Sequence, residues 1–232
     1  MRGQNQRFSV RCPAIGLRCQ GYHFGMSLGP RTQKLISIAA GPLAFSGKPH
    51  TAASAELGEM LGKLNGFIAF ESSLVVRGVG DEAGDLDGWN APKGWRSSFE
   101  DLADGLYFFA EDIFGVQFAI ERQAVVIFDP ETGHRRPFAS SIEDWADQLL
   151  DDYKFLTGYP LAHEWQQQHG QIPWGTRLIP LQPFVAGGDF DLSNLRATND
   201  VEGMRERATF ALKIRNIPDG GIIIWQHPGP PS

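Results

Sequence analysis

The sequence predicts an α+β domain with a largely antiparallel mixed sheet and flanking helices. Short β-rich segments follow one another at hairpin spacing in the middle of the chain, and amphipathic helical segments precede and follow them. With 232 residues, 42% of them apolar and 21% charged, the chain has the composition of a globular protein. We expect a single domain over residues 56–232, without internal repeats.

The N-terminal residues 1–55 differ in charge from the rest of the chain. This leader contains seven Arg or Lys residues and no acidic residue, and Gly and Pro interrupt it often. Because the whole chain carries −6 and the leader +7, residues 56–232 carry −13. We expect the leader to be disordered, and three origins stay open: a targeting segment, a true start at Met26, or a secretory signal ending near Ala55. The break at Gly41–Pro42 disfavours export, so the expected location is the cytoplasm.

Hydrophobic periodicity places the elements of residues 56–232. SAELGEMLGKLNG predicts a short helix, FIAF and SLVV predict strands, and YFFA, VQFAIE and AVVIFD predict an antiparallel meander. SSIEDWADQLLDDY predicts a regular helix with Ser141 and Asp144 as a capping box and Trp145 on its inner face. Further helices are expected at LAHEWQQQHG and VEGMRERATFALKIRN, an extended segment at RLIPLQPFVAGG, and a closing strand at IIIW.

Glu111 and Asp112 are adjacent in AEDIFG, at the end of the first meander strand. Neighbouring residues of a strand point to opposite faces, so we do not expect these carboxylates to converge on one substrate. We interpret them as solvated residues of a hairpin connection, in which Gly115 adopts a positive φ. The competing hypothesis is an enzyme that acts through Glu111, Asp112 or His163.

Several segments resemble known site motifs without satisfying them. Gly78–Ala83 matches a dinucleotide fingerprint in letters, but the acidic residues after it would repel a phosphate. If residues 83–94 were an EF-hand calcium loop, Gly94 would stand at its last position, where a bidentate Glu is required. His163, Glu164 and His169 lack the spacing of a zinc motif. The sequence therefore predicts no catalytic set, metal, cofactor or small-molecule substrate.

An acidic and tryptophan-containing loop precedes the meander, and it is the candidate partner surface. Acidic side chains steer the association of a basic partner, and aromatic side chains dominate interface energies. The alternative is an ordinary solvated loop. The residues of the candidate surface are Asp81, Glu82, Asp85, Asp87, Trp89 and Trp95.

The order FFAEDIFGVQFAI, VVIFDPETG and a capped helix with Glu143, Asp144 and Trp145 resembles the SUKH superfamily. That superfamily includes the Smi/Knr-type cell-wall regulators of yeasts and many bacterial immunity proteins. HEWQQQHG and IRNIPDGG are similar to the C-terminal extension of its bacterial members, so the likeness covers roughly residues 56–225. The long leader and the Asp-rich loop depart from the family pattern. The residues matching its structural motifs are Glu111, Asp112, Phe114, Gly115, Asp129, Pro130, Gly133 and Trp145.

The resemblance implies a non-enzymatic binding protein, typically one that neutralises a toxin delivered by competing bacteria. The alternative within the family is an intracellular regulatory or scaffold module of the Smi/Knr type, without a toxin partner. A charge of −13 on residues 56–232 fits a basic toxin domain as the partner and disfavours nucleic acid as a ligand. No run approaches the roughly 18 apolar residues of a membrane helix, so no membrane partner is expected.

Overall fold

A six-stranded antiparallel sheet organises the computed structural model, which describes residues 28–45, 53–80, 82–218 and 221. The strands lie side by side in sequence order, so each pairs with its predecessor; the connections are short except for residues 77–106, between the second and third strands. They are β1 (Phe67–Ala69), β2 (Leu74–Val76), β3 (Tyr107–Asp112), β4 (Gln117–Glu121), β5 (Ala124–Phe128) and β6 (Arg135–Ala139). The predicted α+β class and the predicted meander of β3, β4 and β5 are confirmed.

Helices cover the two faces of this sheet. They are α1 (Pro30–Ser37), α2 (Ala55–Lys63), α3 (Leu86–Trp89), α4 (Ile142–Leu156), α5 (Tyr159–His169) and α6 (Asp200–Ile214). One apolar cluster joins the sheet to α1, α2 and α4 around Trp145. A second cluster joins it to α6 and a 3-10 segment, Trp95–Ala103, around Phe108. Two further antiparallel strands, β7 (Thr176–Pro180) and β8 (Leu195–Asn199), form a small separate sheet.

The predicted start of α4 is confirmed in its main feature. The Ser141 hydroxyl accepts a hydrogen bond from the Asp144 N–H at 3.0 Å, and Trp145 is completely buried one turn into the helix. The return half of the capping box differs, because the Asp144 carboxylate accepts the N–H of Ser140.

The expectation that residues 1–55 form a disordered leader is wrong for residues 28–45. Leu35 of α1 is completely buried in the core beside α4. Ala40 then pairs with Ile68, so this segment covers the outer edge of β1. The sequence gives little indication that this segment packs on the core, because it contains only one short helix.

A side chain from α4 fixes α1 in place. The Glu143 carboxylate accepts hydrogen bonds from the N–H groups of Arg31 and Thr32 at 2.7 and 3.0 Å, so it caps α1 from another helix. A cap that comes from more than 100 residues away leaves no local pattern in the sequence. Residues 1–27 and 46–52, including Met26, lie outside the described residues, as does the expected closing strand at residues 222–225.

Candidate functional site

Four charged side chains meet in the interior, between the large sheet and the C-terminal elements. Arg77 follows β2, Glu111 lies on β3, Arg177 lies on β7 and Asp200 begins α6. Arg77 Nη2 donates to Glu111 Oε1 and to Asp200 Oδ2, both at 2.8 Å. Arg177 Nε donates to Glu111 Oε1 at 2.9 Å. We call these four residues the ion network; each side chain is at most 8% exposed.

Gln117 and Trp89 complete the hydrogen bonding around the ion network. Gln117 donates to Glu111 Oε2 at 2.7 Å and accepts from the Trp89 indole N–H at 3.0 Å. The Arg77 guanidinium carbon lies 3.3 Å from the centroid of the Trp89 ring. Burial alone would raise the pKa of Glu111, but the charges of Arg77 and Arg177 lower it, so Glu111 is ionised at neutral pH.

The prediction that Glu111 and Asp112 are solvated residues of a turn is wrong. They are the last two residues of β3, and they are only 1% and 6% exposed. The turn begins after them, and Gly115 within it has the predicted positive φ, 73°. The side chains do diverge, as strand geometry requires: Glu111 joins the ion network, and Asp112 lines a cavity on the other side. C-terminal elements, distant in sequence, cover this end of the sheet and bury both residues.

The prediction that Trp89 and Trp95 anchor a partner is also wrong. Each is 1% exposed, and their ring centroids lie 5.2 Å apart within the cluster around Phe108. Both residues belong to helical turns that pack on the sheet, so their apolar rings are buried against it.

Among the acidic residues of the candidate surface, Asp85 is buried and structural, whereas Glu82 and Asp87 are exposed. Asp85 is 7% exposed, and its carboxylate accepts the Glu82 N–H at 2.9 Å, which closes the loop. The side chains of Glu82 and Asp87 are exposed, whereas Asp81 lies outside the described residues. The partner role of Glu82 and Asp87 stays a prediction.

Trp174 is the exposed aromatic residue beside this loop. Its side chain is 45% exposed, and its indole lies 3.9 Å from the position that a Cβ on Gly84 would occupy. Arg77 Nη1 donates to the Gly84 carbonyl at 2.7 Å, so the ion network holds the loop backbone from below. We call Glu82, Asp87 and Trp174 the acidic loop surface. Sequence reasoning missed Trp174 because it lies on a distant connection before β7.

A cavity of about 470 Å³ lies at the end of the sheet where β3 turns into β4. Its walls are mostly apolar and include the family-motif residues Phe114 and Pro130, together with Phe184 and Phe190 of the connection between β7 and β8. Its polar lining includes Asp112, and we call it the Asp112 cavity.

Asp112 has fewer hydrogen-bonding and charged partners than Glu111. Asp112 Oδ1 accepts the Val116 N–H at 2.8 Å. Burial raises the pKa of Asp112 to about 8, an effect that this hydrogen bond and the charge of Arg207 only partly oppose. Asp112 therefore carries a proton at neutral pH.

Arg207 reaches the Asp112 cavity from α6 and is 6% exposed. Its Nη1 donates to the Phe114 carbonyl, and its Nε donates to the Gly203 carbonyl at 3.1 Å. A Cβ at Gly115 would lie 2.6 Å from Arg207 Nη2. Glycine is therefore favoured at this position by its positive φ, and a Cβ would also displace the end of the Arg207 side chain.

The other family-motif residues stabilise turns and the core. Asp129 Oδ1 accepts the Glu131 N–H at 2.8 Å, and Gly133 has a φ of 70° in the same turn between β5 and β6. Trp145 packs edge-on against Phe109 in the apolar cluster under α4. These contacts give each residue a structural role.

His163, Glu164 and His169 do not form a joint site. His163 Nδ1 lies 2.7 Å from Glu71 Oε2 at the surface, and His169 stacks on Trp165. Among the residues that the structure describes, no three His, Cys, Asp or Glu side chains are grouped so as to hold a metal ion. Within the same ranges, the helices are too short or too polar to cross a membrane.

The chain has little measurable similarity to known proteins. No family model matches it, and no curated protein matches it. Among solved structures it is similar to Atu4351 from Agrobacterium tumefaciens, at 11% sequence identity and a TM-score of 0.44, over 70% of this chain and 83% of that chain. A likeness at this level carries no argument about function, so membership of the SUKH superfamily stays a prediction.

Proposed function

We propose that this chain is an immunity protein of the SUKH type, which neutralises a cognate bacterial toxin by direct contact through the acidic loop surface. The supporting observation is the position of Trp174, which is 45% exposed against a loop whose Glu82 and Asp87 also face solvent. Interface hot spots are enriched in tryptophan, which makes Trp174 the candidate anchor of this surface.

The charge of the chain supports a basic partner. Residues 56–232 carry −13, and a field of this sign accelerates the encounter with a positively charged protein. A toxin that acts on nucleic acid binds phosphates through basic residues, and an acidic inhibitor would cover that surface. In this proposal the protein acts in the cytoplasm, where such a toxin finds its target.

Two hydrogen bonds hold the described part of this loop before any partner arrives. Arg77 bonds to the Gly84 carbonyl, and the Asp85 carboxylate bonds to the Glu82 N–H within the loop. A surface that is already ordered loses less conformational entropy on binding, which favours affinity. The ion network therefore supports the proposed interface without contacting the partner.

Co-expression with the product of the adjacent gene, followed by co-purification and binding kinetics at two salt concentrations, tests the proposal. We expect Glu82→Gln with Asp87→Asn to slow association roughly three- to tenfold at low salt and to flatten its salt dependence. Trp174→Ala should speed dissociation about 30-fold, the effect of a hot spot of ~2 kcal/mol.

Matched variants elsewhere on the surface serve as controls. Glu164→Gln with Asp189→Asn removes the same charge at exposed positions outside the loop, and Phe45→Ala removes an exposed ring. These changes should leave the kinetics within about twofold of the parent, since isolated surface groups contribute little. Failure of the two proteins to co-purify would contradict the proposal and favour the Smi/Knr-type scaffold role. Equal kinetics in the loop variants and the controls would place the interface elsewhere.

A further inference from the structure

The Asp112 cavity has the size and shape of a small-molecule site. Its volume of about 470 Å³ falls within the range of ligand pockets, roughly 300–1,000 Å³. It lies between the end of α4, the β3–β4 and β5–β6 turns, the β7–β8 connection and α6. Several elements of the fold thus converge on one opening.

The walls and the rim of the cavity are mostly apolar. Phe114, Phe118 and Ile127 belong to the sheet end, and the Phe184 and Phe190 rings stack on each other at 3.9 Å. Phe155 lines the cavity although its side chain is 81% exposed. Such walls favour a hydrocarbon or aromatic body in the ligand.

Arg207 is a buried cation whose hydrogen bonding is incomplete. The only acceptor that the structure gives its Nη2 among the described residues is the Met204 sulfur at 3.4 Å, and sulfur is a weak acceptor. In the same part of the chain, no carboxylate oxygen lies within the 4 Å of an ion pair with Arg207. A desolvated guanidinium gains strongly from an oxyanion at short distance.

The negative charges of Glu131 and Asp129 act on Arg207 from beyond ion-pair distance, and these carboxylates accept hydrogen bonds elsewhere. Glu131 Oε2 accepts the Val185 N–H at 3.0 Å, and both Asp129 oxygens accept bonds within their own turn. Asp112 holds a proton at neutral pH, because burial raises its pKa, so its carboxyl group can donate.

We infer that the Asp112 cavity binds an apolar monocarboxylate, with its hydrocarbon body between the phenylalanine rings and its carboxylate bonded to Arg207 and to the Asp112 carboxyl group. This site goes beyond the proposed toxin contact, since none of its groups belongs to the acidic loop surface. Two sources supply a carboxylate on an apolar body. One is a free medium-chain or aryl acid, and the other is the C-terminus of a peptide with an apolar last residue.

The charge of the cavity distinguishes this ligand from other classes. An ammonium group would lie next to the positive charge of Arg207, which has no carboxylate within ion-pair distance among the described residues. A phosphate dianion would bring two negative charges close to Glu131 and Asp129, which repel it. A single carboxylate places one negative charge beside Arg207, half of what a phosphate dianion would bring close to Glu131 and Asp129.

Calorimetric titration of the purified full chain with octanoate tests the inference, with octylamine and octanol as probes of equal chain length. Octanoate should bind at least tenfold more tightly than either of the others. Equal or tighter binding of octylamine would overturn the inference. An acetylated tetrapeptide ending in Leu and its C-terminal amide distinguish the two sources of the carboxylate: binding of the acid but not the amide supports the peptide source. Absence of binding by both octanoate and the peptide acid at millimolar concentration would also overturn the inference.

Two variants test the roles of the polar groups. Arg207→Gln should lower octanoate affinity at least tenfold, with folding checked by circular dichroism. Octanoate should bind the parent about tenfold more weakly at pH 9 than at pH 7, because binding needs the Asp112 proton. Asp112→Asn keeps a donor at that position, so its affinity should change less than about twofold over the same range. The other charged groups that face Asp112 or line its cavity are Arg177, Arg207, Glu111, Asp129, Glu131 and Arg136.

The pH series decides the question even if Arg207→Gln fails to fold. A parent affinity that does not change between pH 7 and pH 9 would overturn the role of Asp112 and with it the inferred binding mode. None of these titrations involves the toxin, so their failure would leave the proposed function untouched. Loss of toxin binding would likewise leave the cavity unaffected.

Discussion

Glu111 and Asp112 are neighbours on β3 and are both buried, yet the two carboxylates have opposite surroundings. Glu111 contacts two guanidinium groups and one side-chain amide within 2.9 Å. Asp112 accepts one backbone N–H, and in the described residues no cation lies within ion-pair distance of it. The pKa of Glu111 is lowered, and the pKa of Asp112 is raised to about 8.

From this difference we infer that the number of charged and hydrogen-bonding partners, more than burial, separates a structural group from a group that can bind a ligand. In the ion network, two arginines and two carboxylates neutralise one another, so an additional charged ligand would gain little. In the Asp112 cavity, Arg207 and the protonated Asp112 keep unused hydrogen-bonding capacity beside an open apolar space. Perturbed groups in a cleft often mark functional sites, and structural ion pairs such as those of Glu111 perturb pKa values as well.

The largest expected effect comes from breaking the ion network. Glu111→Gln leaves two buried guanidinium groups with a single carboxylate, and removing one partner of a buried pair costs about 3–5 kcal/mol of unfolding free energy. Urea unfolding at pH 7 measures this loss. Glu121→Gln, which breaks a pair with Arg135 that is 32% exposed on each side, should cost less than about 1 kcal/mol. If the two variants unfolded at the same urea concentration, the ion network would have no special role.

The contribution of Glu111 also has a defined pH dependence. Its pKa is lower in the folded protein than the ordinary value of 4.5, so the unfolded chain binds the proton more readily. The stabilisation is therefore fully present above the unfolded pKa and is lost as the pH falls through the folded pKa. The stability difference between the parent and Glu111→Gln should shrink in that acidic range.

A smaller effect is expected at the turn that separates the two carboxylate environments. Gly115→Ala places a Cβ 2.6 Å from Arg207 Nη2 at a φ of 73°. Gly105→Ala meets nothing within 4 Å at nearly the same φ, 72°. We expect a loss of about 1 kcal/mol at Gly105 from the left-handed backbone, and about 2–3 kcal/mol at Gly115, where crowding is added. Equal losses in thermal or urea unfolding would show that Arg207 does not press against this turn.

The sequence was sufficient for elements whose signal is local. The β-rich runs of β3, β4 and β5 and the apolar stripe and serine cap of α4 are each contained in fewer than twenty residues, and each of these elements formed. Gly115 belongs to the same class, because a glycine between two strands indicates a positive φ.

The candidate sites required information that one sequence does not contain. The partners of Glu111 in the ion network lie 34 and 66 positions away, so the acidic pair resembled an ordinary polar turn. Trp89 and Trp95 follow acidic, glycine-rich sequence, and only the tertiary packing of their helical turns shows that they are buried. The segment 28–45 was missed for the same reason, since α1 depends on a cap supplied by Glu143.

The most direct test of the central claim is the titration of side-chain carboxyl groups by carbon-13 NMR on the uniformly labelled full chain, with Asp112→Asn to assign the Asp112 signal. We predict that one Asp carboxyl carbon titrates with a midpoint near pH 8 and is missing in the variant, while the Glu111 carboxyl stays ionised throughout neutral pH. If every carboxyl signal were already that of the ionised form at pH 6, Asp112 would not hold a proton. The contrast between the two neighbouring carboxylates would then be contradicted.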